Sequence, residues 1–418
     1  MLAAFAKLAA GSIAGYALVL ILTPVLTRIY SPSDLGFFSV VSAFVGILPP
    51  LLTVSYPFGQ LSAPNTSDAA RFAIAGLWAA AALSIAIACV GLLVGAFARV
   101  EIGVYAAFLC ALVCGLLAVL SSIGINWAIR RRLESRAALA TFANLGGRGV
   151  FQVALGGVLG GVKGLIAGEL LGRLSAWLII ERGVARIACR IDARRRNAVL
   201  RHARRHRRYP TVITPALTLE NLLVWLPAPL FAVAFTPEVG GLIALVQRFA
   251  SVPLTIVNQS LASLFHRELV AWRQAHTARV KRYLFLVAGI TMALAWPLSV
   301  AISHYGPALA SDIFGGGQWA QSATIAAILV PVYCAQLLTL FSDRILMIAD
   351  RNELKLIALS INLVMFVATL GVAVYAQWRW EFALVVFSAT QCISYVIFFS
   401  YVVKGFEAQQ SEPVRGEG

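Results

Sequence analysis

Long apolar stretches, each followed by a short polar segment, recur along the whole chain. Each stretch is close to the roughly 20 apolar residues that an α-helix needs to cross a bilayer. The pattern predicts twelve spanning helices and therefore an all-α polytopic membrane protein. The predicted spans are 8–27, 35–57, 71–97, 103–128, 138–159, 164–181, 210–235, 239–265, 283–304, 322–347, 355–375 and 382–403.

The longest polar segment between predicted spans runs from 182 to 209 and contains eleven arginines. It divides the twelve spans into two sets of six, so we expect two six-helix lobes. The predicted organisation is an N-terminal lobe over 1–181, a basic cytoplasmic linker over 182–209, a C-terminal lobe over 210–403 and a cytoplasmic tail over 404–418.

A short internal repeat supports this division into two related halves. Pro32-Ser-Asp-Leu-Gly36 opens the second span of the first half, and Pro237-Glu-Val-Gly240 opens the second span of the other. A further proline follows the glycine by thirteen positions in both halves, at Pro49 and Pro253. Because both halves start on the same side of the membrane, the repeat predicts parallel, pseudo-symmetric lobes around a central cavity.

Composition agrees with a membrane protein, but the charge needs its own explanation. Hydrophobic residues make up 60% of the chain and charged residues only 12%. The 34 Lys and Arg residues outnumber the 18 Asp and Glu residues, giving a formal net charge of +16. With the N-terminus in the cytoplasm, 27 basic residues fall in cytoplasmic segments and 4 in outside segments. The positive-inside rule therefore explains most of the charge and places both termini in the cytoplasm, without a nucleic-acid partner.

Charged residues inside the predicted spans are the most informative polar positions, because such groups are costly in hydrocarbon and usually face a cavity or a partner. They are Arg148, Glu169, Arg173, Glu220 and Arg248. Glu169 and Arg173 are four residues apart on one helix and can pair directly. Arg148 and Arg248 have no carboxylate close in sequence, although Glu220 could pair with either from another helix. Since a guanidinium matches phosphate geometry, we expect Arg148 and Arg248 to face a cavity that holds an anion.

A glycine stripe marks the fifth and sixth spans. Glycines recur at every fourth position from Gly156 to Gly172, which predicts close helix packing. We expect a turn near Gly160–Lys163 to divide this run into two helices.

Catalysis finds no support in the sequence. The five histidines lie in or near predicted loops, and none forms a metal-ligand spacing or a catalytic group with a carboxylate of a span. We therefore expect neither an enzyme, nor a metal, nor a cofactor.

Four stretches, in chain order, carry a resemblance to a known family. They are Leu22-Thr-Pro-Val-Leu-Thr-Arg-Ile-Tyr-Ser-Pro-Ser-Asp-Leu-Gly36, then Tyr209-Pro210, then Gln247-Arg248-Phe249 with Pro253-Leu254 and Asn258-Gln259, and finally Ile313-Phe314-Gly315 with Gln318-Trp319. With twelve spans, they resemble the Wzx-type polysaccharide flippases, which handle O-antigen and exopolysaccharide, of the multidrug/oligosaccharidyl-lipid/polysaccharide exporter superfamily. The chain departs from this family at the end of the second span, where Pro57 rather than an acid follows Tyr56.

The resemblance implies a transporter of the bacterial inner membrane. It would flip an undecaprenyl-diphosphate-linked oligosaccharide to the outer leaflet by alternating access, during polysaccharide or lipopolysaccharide biosynthesis. Arg148, Arg173 and Arg248 are then the candidates for binding the diphosphate in a cationic cavity. Glu169 and Glu220 are candidates for ion coupling or charge pairing. The implied partners are the lipid-linked oligosaccharide, membrane lipids, and the polysaccharide polymerase with its chain-length machinery.

Two alternatives stay open. A multidrug or cation exporter of the same superfamily should carry unpaired acids in its cavity, whereas three arginines and two acids lie in these spans. An integral membrane glycan polymerase would need a large outside loop with catalytic residues, and the predicted outside segments are short.

Overall fold

A computed structural model describes residues 2–98, 101–188, 193–255, 277–348 and 352–411. Every regular element within these ranges is helical, which confirms the all-α prediction. The chain divides into two compact units, Met1–Pro229 and Leu230–Gly418.

The first unit contains ten complete helices within its described ranges. They are α1 (Leu2–Ile29), α2 (Pro32–Thr53), α3 (Phe58–Ser62), α4 (Thr66–Ala98), α5 (Ile102–Arg130), α6 (Glu134–Phe142), α7 (Arg148–Leu159), α8 (Gly161–Ala188), α9 (Ala193–Arg205) and α10 (Thr214–Trp225). Turns of π-helix join α6 to α7 at Ala143–Gly147 and lead into α10 at Tyr209–Ile213.

The remaining helices begin at the division between the units. They are α11 (Pro227–Ala234), which contains the division point, α12 (237–255), α13 (Thr277–Phe314), α14 (Gln321–Ile348), α15 (Asn352–Tyr375) and α16 (Trp380–Ser411). A single 3-10 turn at Gly317–Trp319 joins α13 to α14 and buries the Trp319 side chain completely.

The division falls inside the predicted span 210–235 rather than at the linker 182–209. α9, which comes from that linker, packs on α4, and α10 packs on α2. Both helices therefore belong to the first unit. Residues 189–192 of the linker and 412–418 of the tail lie outside the described residues.

Seven helices of the described chain are long and apolar enough to cross a membrane. They are Lys7–Ile29, Pro32–Thr53, Thr66–Gly95, Ile102–Arg130, Gly317–Leu337, Glu353–Tyr375 and Trp380–Tyr401. The pair Tyr209–Trp225 and Pro227–Ala234, bent by 54°, makes an eighth if it is one span. These eight coincide with eight of the twelve predicted spans.

The other four predicted spans are not among these eight, and the structure places them as follows. The span 138–159 is interrupted by a π-helical turn, and the span 164–181 lies in α8, which carries charged residues. The span 283–304 lies within α13. The span 239–265 is described only to residue 255, so Asn258 and Gln259 lie outside the described residues.

Both helices that open the repeat begin in the same manner. Ser31 precedes the proline of α2, and its hydroxyl accepts a hydrogen bond from the Asp34 amide at 3.2 Å. Thr236 precedes the proline of α12, and its hydroxyl accepts one from the Val239 amide at 3.4 Å. In each case a hydroxyl N-cap is followed by proline. The hydroxyl accepts a hydrogen bond from a free amide of the first turn, and the proline has no amide N–H that needs a partner. This shared start supports the repeat predicted from the sequence.

α2 ends in a left-handed turn where the family resemblance fails. Val54 and Ser55 have φ of 50° and 53°, although neither is glycine and valine is β-branched. Ser55 is fully buried and receives a hydrogen bond from the Thr214 hydroxyl of α10 at 3.0 Å. Tyr56 donates to the carbonyl oxygen of Ala203 in α9 at 3.2 Å. The turn thus contacts α9, which lies within the basic linker, and α10, which follows it.

The glycine stripe behaves as predicted. The helix break falls at Gly160 and Gly161, with φ of 62° and 49°, values that side chains rarely adopt. α7 and α8 therefore form an antiparallel pair that packs along the stripe.

Candidate functional site

Glu169 is the centre of a buried ion-pair cluster in the first unit. It lies on α8 and is only 4% exposed. Arg173 lies one turn further along the same helix, and its Nη2 and Nε atoms are 2.7 and 2.8 Å from Glu169 Oε1. The pairing predicted from the four-residue spacing is therefore present.

Arg148 joins the same carboxylate from the neighbouring helix. It is the first residue of α7, and its Nη1 lies 3.1 Å from Glu169 Oε1. The sequence has no carboxylate close to Arg148 along the chain, and Glu220 was the partner considered from another helix; the partner in the structure is Glu169, 21 residues away. We call Arg148, Glu169 and Arg173 the charge triad; its two guanidinium groups and single carboxylate carry a net charge of +1.

The two arginines of the charge triad differ in how open they are. The Arg173 side chain is 9% exposed, whereas the Arg148 side chain is 23% exposed. Arg148 Nε is buried but donates no hydrogen bond within the described chain. Arg148 is therefore the more accessible of the two, while Arg173 binds Glu169 through two nitrogens.

Glycines of α8 allow Arg148 to reach Glu169. A Cβ placed on Gly172 would lie 2.5 Å from Arg148 Cγ and 2.6 Å from its Cα. A Cβ on Gly168 would lie 2.5 Å from the backbone nitrogen of Gln152. The small residues thus bring the two backbones close together, as small-residue ridges do in membrane helices. One turn further along α7, the Gln152 carbonyl accepts a hydrogen bond at 2.7 Å from the hydroxyl of Tyr30, which follows α1.

The remaining candidates lie elsewhere. Glu220 is half-buried on α10 in the first unit, and Arg248 is half-buried on α12 in the second unit. Neither takes part in the ion pairs of the charge triad, and neither is a free charge.

Uncharged polar side chains are also buried in the second unit, and a search for charged residues alone missed them. In the second unit, Asn362 and Gln391 are each 3% exposed, and Asn362 Oδ1 and Gln391 Nε2 have no hydrogen-bond partner in the described chain. Nearby on the same helices, Thr369 donates to Thr390 at 3.3 Å. These positions could have been predicted from the sequence as isolated amide side chains within apolar spans, because burying an unpaired polar group is costly.

A cluster of rings at the end of α9 was also missed, because the histidines were placed in or near loops, whereas His202 lies on α9 and His206 in the turn that follows it. His202 and His206 lie four residues apart and pack against Phe72 of α4, with ring centroids 4.5 and 4.9 Å from it. Burial lowers the pKa of His202, and neighbouring His206 lowers it further, while Asp68, 3.7 Å away, acts in the opposite direction. Within the described residues, no group of three or more His, Cys, Asp or Glu side chains is arranged to hold a metal ion.

Comparison with known proteins identifies the fold. No family model and no curated relative matches the chain. A multidrug resistance MATE family transporter of the MOP superfamily, solved in an inward-facing conformation, is 13% identical, with a TM-score of 0.66 and 96% of each chain covered.

Two further solved structures are similar over almost the whole chain. A MATE transporter of Vibrio cholerae is 12% identical over 98% of this chain and 96% of its own, with a TM-score of 0.60. A MOP superfamily transporter of Pyrococcus furiosus, notable for the reverse polarity of its binding pocket, is 13% identical over 97% and 96%, with a TM-score of 0.53. The chain is therefore a multi-pass membrane protein with the fold of the MOP superfamily transporters.

Proposed function

We propose that this protein is an alternating-access transporter that flips an undecaprenyl-diphosphate-linked oligosaccharide across the bacterial inner membrane. The transporter part of the proposal is supported by a fold shared with transporters over at least 96% of the chain. The substrate part is carried by the charge triad, in which Arg148 is paired yet partly exposed.

The charge balance favours an anionic substrate. Two guanidinium groups share one carboxylate oxygen, so one positive charge has no counterion within the triad. An uncompensated charge is costly in an apolar environment. A phosphate that approached the partly exposed Arg148 side chain would supply the missing counterion, and the planar guanidinium suits two phosphate oxygens at once.

Glu169 then has a positioning role. It holds Arg148 and Arg173 in the absence of substrate, and an incoming phosphate would compete with it first for Arg148, the more exposed of the two. Arg173 and Arg248 are further candidates for contacts with the diphosphate, and Glu220 is the candidate for ion coupling that lies outside the triad.

The membrane potential favours this direction of transport. An inside-negative potential contributes roughly 2.3 kcal/mol per charge per 100 mV to the outward movement of an anion.

A multidrug or cation exporter is the second candidate, because a similar solved structure is a multidrug resistance transporter. Such an exporter should use an acid free of cationic partners, and Glu169 is held by two arginines. The similar transporter of Pyrococcus furiosus has a binding pocket of reverse polarity, so the charge of the pocket varies among proteins with this fold.

The proposal is tested in the native host lacking this protein. We expect the deletion strain to lack surface polysaccharide, and we expect its lipid-linked precursor to accumulate on the cytoplasmic side. Wild-type protein should restore the polysaccharide, whereas Arg148→Gln should not. Arg379→Gln removes the same charge from a side chain that is 86% exposed and should restore it fully.

Three results would count against the proposal. Full restoration by Arg148→Gln at wild-type abundance would remove Arg148 from substrate binding. A deletion strain with normal polysaccharide would reject the flippase, and if it also became sensitive to cationic drugs, the exporter would replace it.

A further inference from the structure

α9 is an amphipathic helix with one face fixed to the first unit. Val199 is 2% exposed and belongs to the same apolar cluster as Phe72 of α4. His202 and His206 stack edge-on against the same ring, and His202 also lies 4.3 Å from His206 between ring centroids. Residues 199, 202 and 206 are spaced three and four apart, so together they define the docked face.

The opposite face of α9 is positively charged. At 100° per residue, Arg201 and Arg204 project away from the docked face and Arg196 and Arg205 lie on its two flanks, and all four are exposed. No acidic residue of the described chain pairs with any of them. Leu200 lies among these arginines and is 42% exposed. The face therefore offers four unneutralised guanidinium groups around one apolar side chain.

The docked face fixes the height of this surface relative to the membrane. Phe72 and Asp68, which contact the histidines of α9, lie in the first two turns of α4. α4 is long and apolar enough to span a bilayer from Thr66 to Gly95. A helix docked at that end lies at the level of the lipid headgroups, on the side that the distribution of basic residues assigns to the cytoplasm.

We propose that the arginine face of α9 binds anionic phospholipid headgroups, of which phosphatidylglycerol is the simplest. Basic residues at a membrane surface are attracted to anionic lipid, and guanidinium groups bind phosphate oxygens in pairs. The exposed Leu200 reaches the acyl boundary between them, as apolar side chains of interfacial helices do. Lipid bound in this manner holds α9 in its docked position, because a ligand that binds one state stabilises it. This inference is independent of which substrate is transported.

The test compares the full-length protein in nanodiscs of phosphatidylcholine alone and of phosphatidylcholine mixed equally with phosphatidylglycerol. Hydrogen exchange of the α9 backbone amides reports the docked state. We expect the mixed lipid to slow this exchange by about fivefold or more, the effect of roughly one engaged arginine. High salt should reduce the difference, because the charges are exposed.

Two matched variants separate α9 from general surface charge. The triple variant Arg196→Gln, Arg201→Gln and Arg204→Gln should abolish the lipid-dependent slowing. The control, Arg131→Gln, Arg132→Gln and Arg136→Gln, removes the same charge from exposed residues around the start of α6 and should keep it.

Other outcomes would overturn the proposal. Equal exchange of wild-type α9 in the two lipids would reject it, as would a slowing that survives in the α9 variant. If phosphatidylglycerol had no effect but a soluble single-stranded oligonucleotide protected α9, the arginine face would be a nucleic-acid surface instead.

Discussion

At the residue scale, we expect substitution of Glu169 to reduce stability strongly, because two arginines bind one oxygen of its carboxylate. Glu169→Gln keeps the shape of the side chain but leaves Arg148 and Arg173 facing each other without a counterion. Removing one partner of a buried ion pair costs about 3–5 kcal/mol. We expect thermal unfolding of the purified variant at a clearly lower temperature than wild type.

Arg379→Gln provides the matched control. It breaks an ion pair with Glu381 in which the arginine side chain is 86% exposed, and such pairs contribute about 0–1 kcal/mol. Equal melting temperatures for the two variants would mean that the charge triad is not a buried network.

The sequence could predict only part of this site. The contact between Glu169 and Arg173 follows from a spacing of four on one helix. The contact with Arg148 could not be predicted, because it depends on where the chain turns and how closely α7 packs on α8. The burial of the Asn362 amide was not predicted for another reason. A neutral polar side chain in an apolar span is a weaker sequence signal than a charged one.

At the scale of elements, the glycines of α8 determine how α7 and α8 meet. Gly172→Ala would place its Cβ 2.5 Å from Arg148 Cγ and close to the Arg148 backbone, so the helices would have to separate. Overpacking of this kind costs about 1–3 kcal/mol. We expect lower thermal stability and, because Arg148 moves, weaker binding of an anionic substrate.

Gly157→Ala is the control on the same helix pair. Nothing lies within 4 Å of a Cβ at Gly157, and alanine is the better helix former. This variant should be as stable as wild type or slightly more stable. A Gly172→Ala variant with unchanged stability would contradict the close packing.

The docking of α9 should depend on pH through His202. Free His202 takes up a proton near its ordinary pKa of 6.5, whereas burial lowers the pKa in the docked helix. The undocked state therefore binds more protons below pH 6.5, and docking weakens as the pH falls from 6.5 towards the lowered pKa. Above pH 6.5 docking should be independent of this group.

Hydrogen exchange of α9, corrected for its intrinsic pH dependence, measures this effect. Asp68 and Arg71 of α4 and His206 and Arg205 of α9 all act on His202, so the matched variant is His202→Gln, which keeps them in place. The acid-dependent loss of protection should be smaller in His202→Gln. An unchanged pH profile in that variant would assign the effect to another group.

Hydropathy predicted most of the long helices but not their breaks. Seven apolar runs of the described chain form single helices long enough to span a bilayer, as expected, and an eighth forms a bent helix pair. The left-handed turn at Val54 and Ser55 could not be predicted, since neither residue favours that conformation. Buried contacts with α9 and α10 accompany it there, and these come from residues about 150 positions away.

At the scale of the whole molecule, the chain combines a shared transporter fold with its own distribution of charge. The likeness to MOP superfamily transporters covers nearly all of the chain at 12–13% identity, so the fold is common while the side chains differ. The apolar runs and the short repeat predicted an all-α membrane protein with two related halves, and the resemblance to the flippases implied the superfamily. Under the proposed function the substrate depends on a few polar residues, and three of these meet in the charge triad.

Binding of the diphosphate lipid to purified protein tests the central claim most directly. Undecaprenyl diphosphate is titrated into protein in phosphatidylcholine nanodiscs, with undecaprenol as the ligand that lacks phosphate. We predict that wild type and Arg379→Gln bind the diphosphate and discriminate against the alcohol, while Arg148→Gln binds the diphosphate about tenfold or more weakly, the loss of roughly one charge-assisted hydrogen bond. Equal affinity of wild type for the two lipids, or of Arg148→Gln and wild type for the diphosphate, would contradict the account.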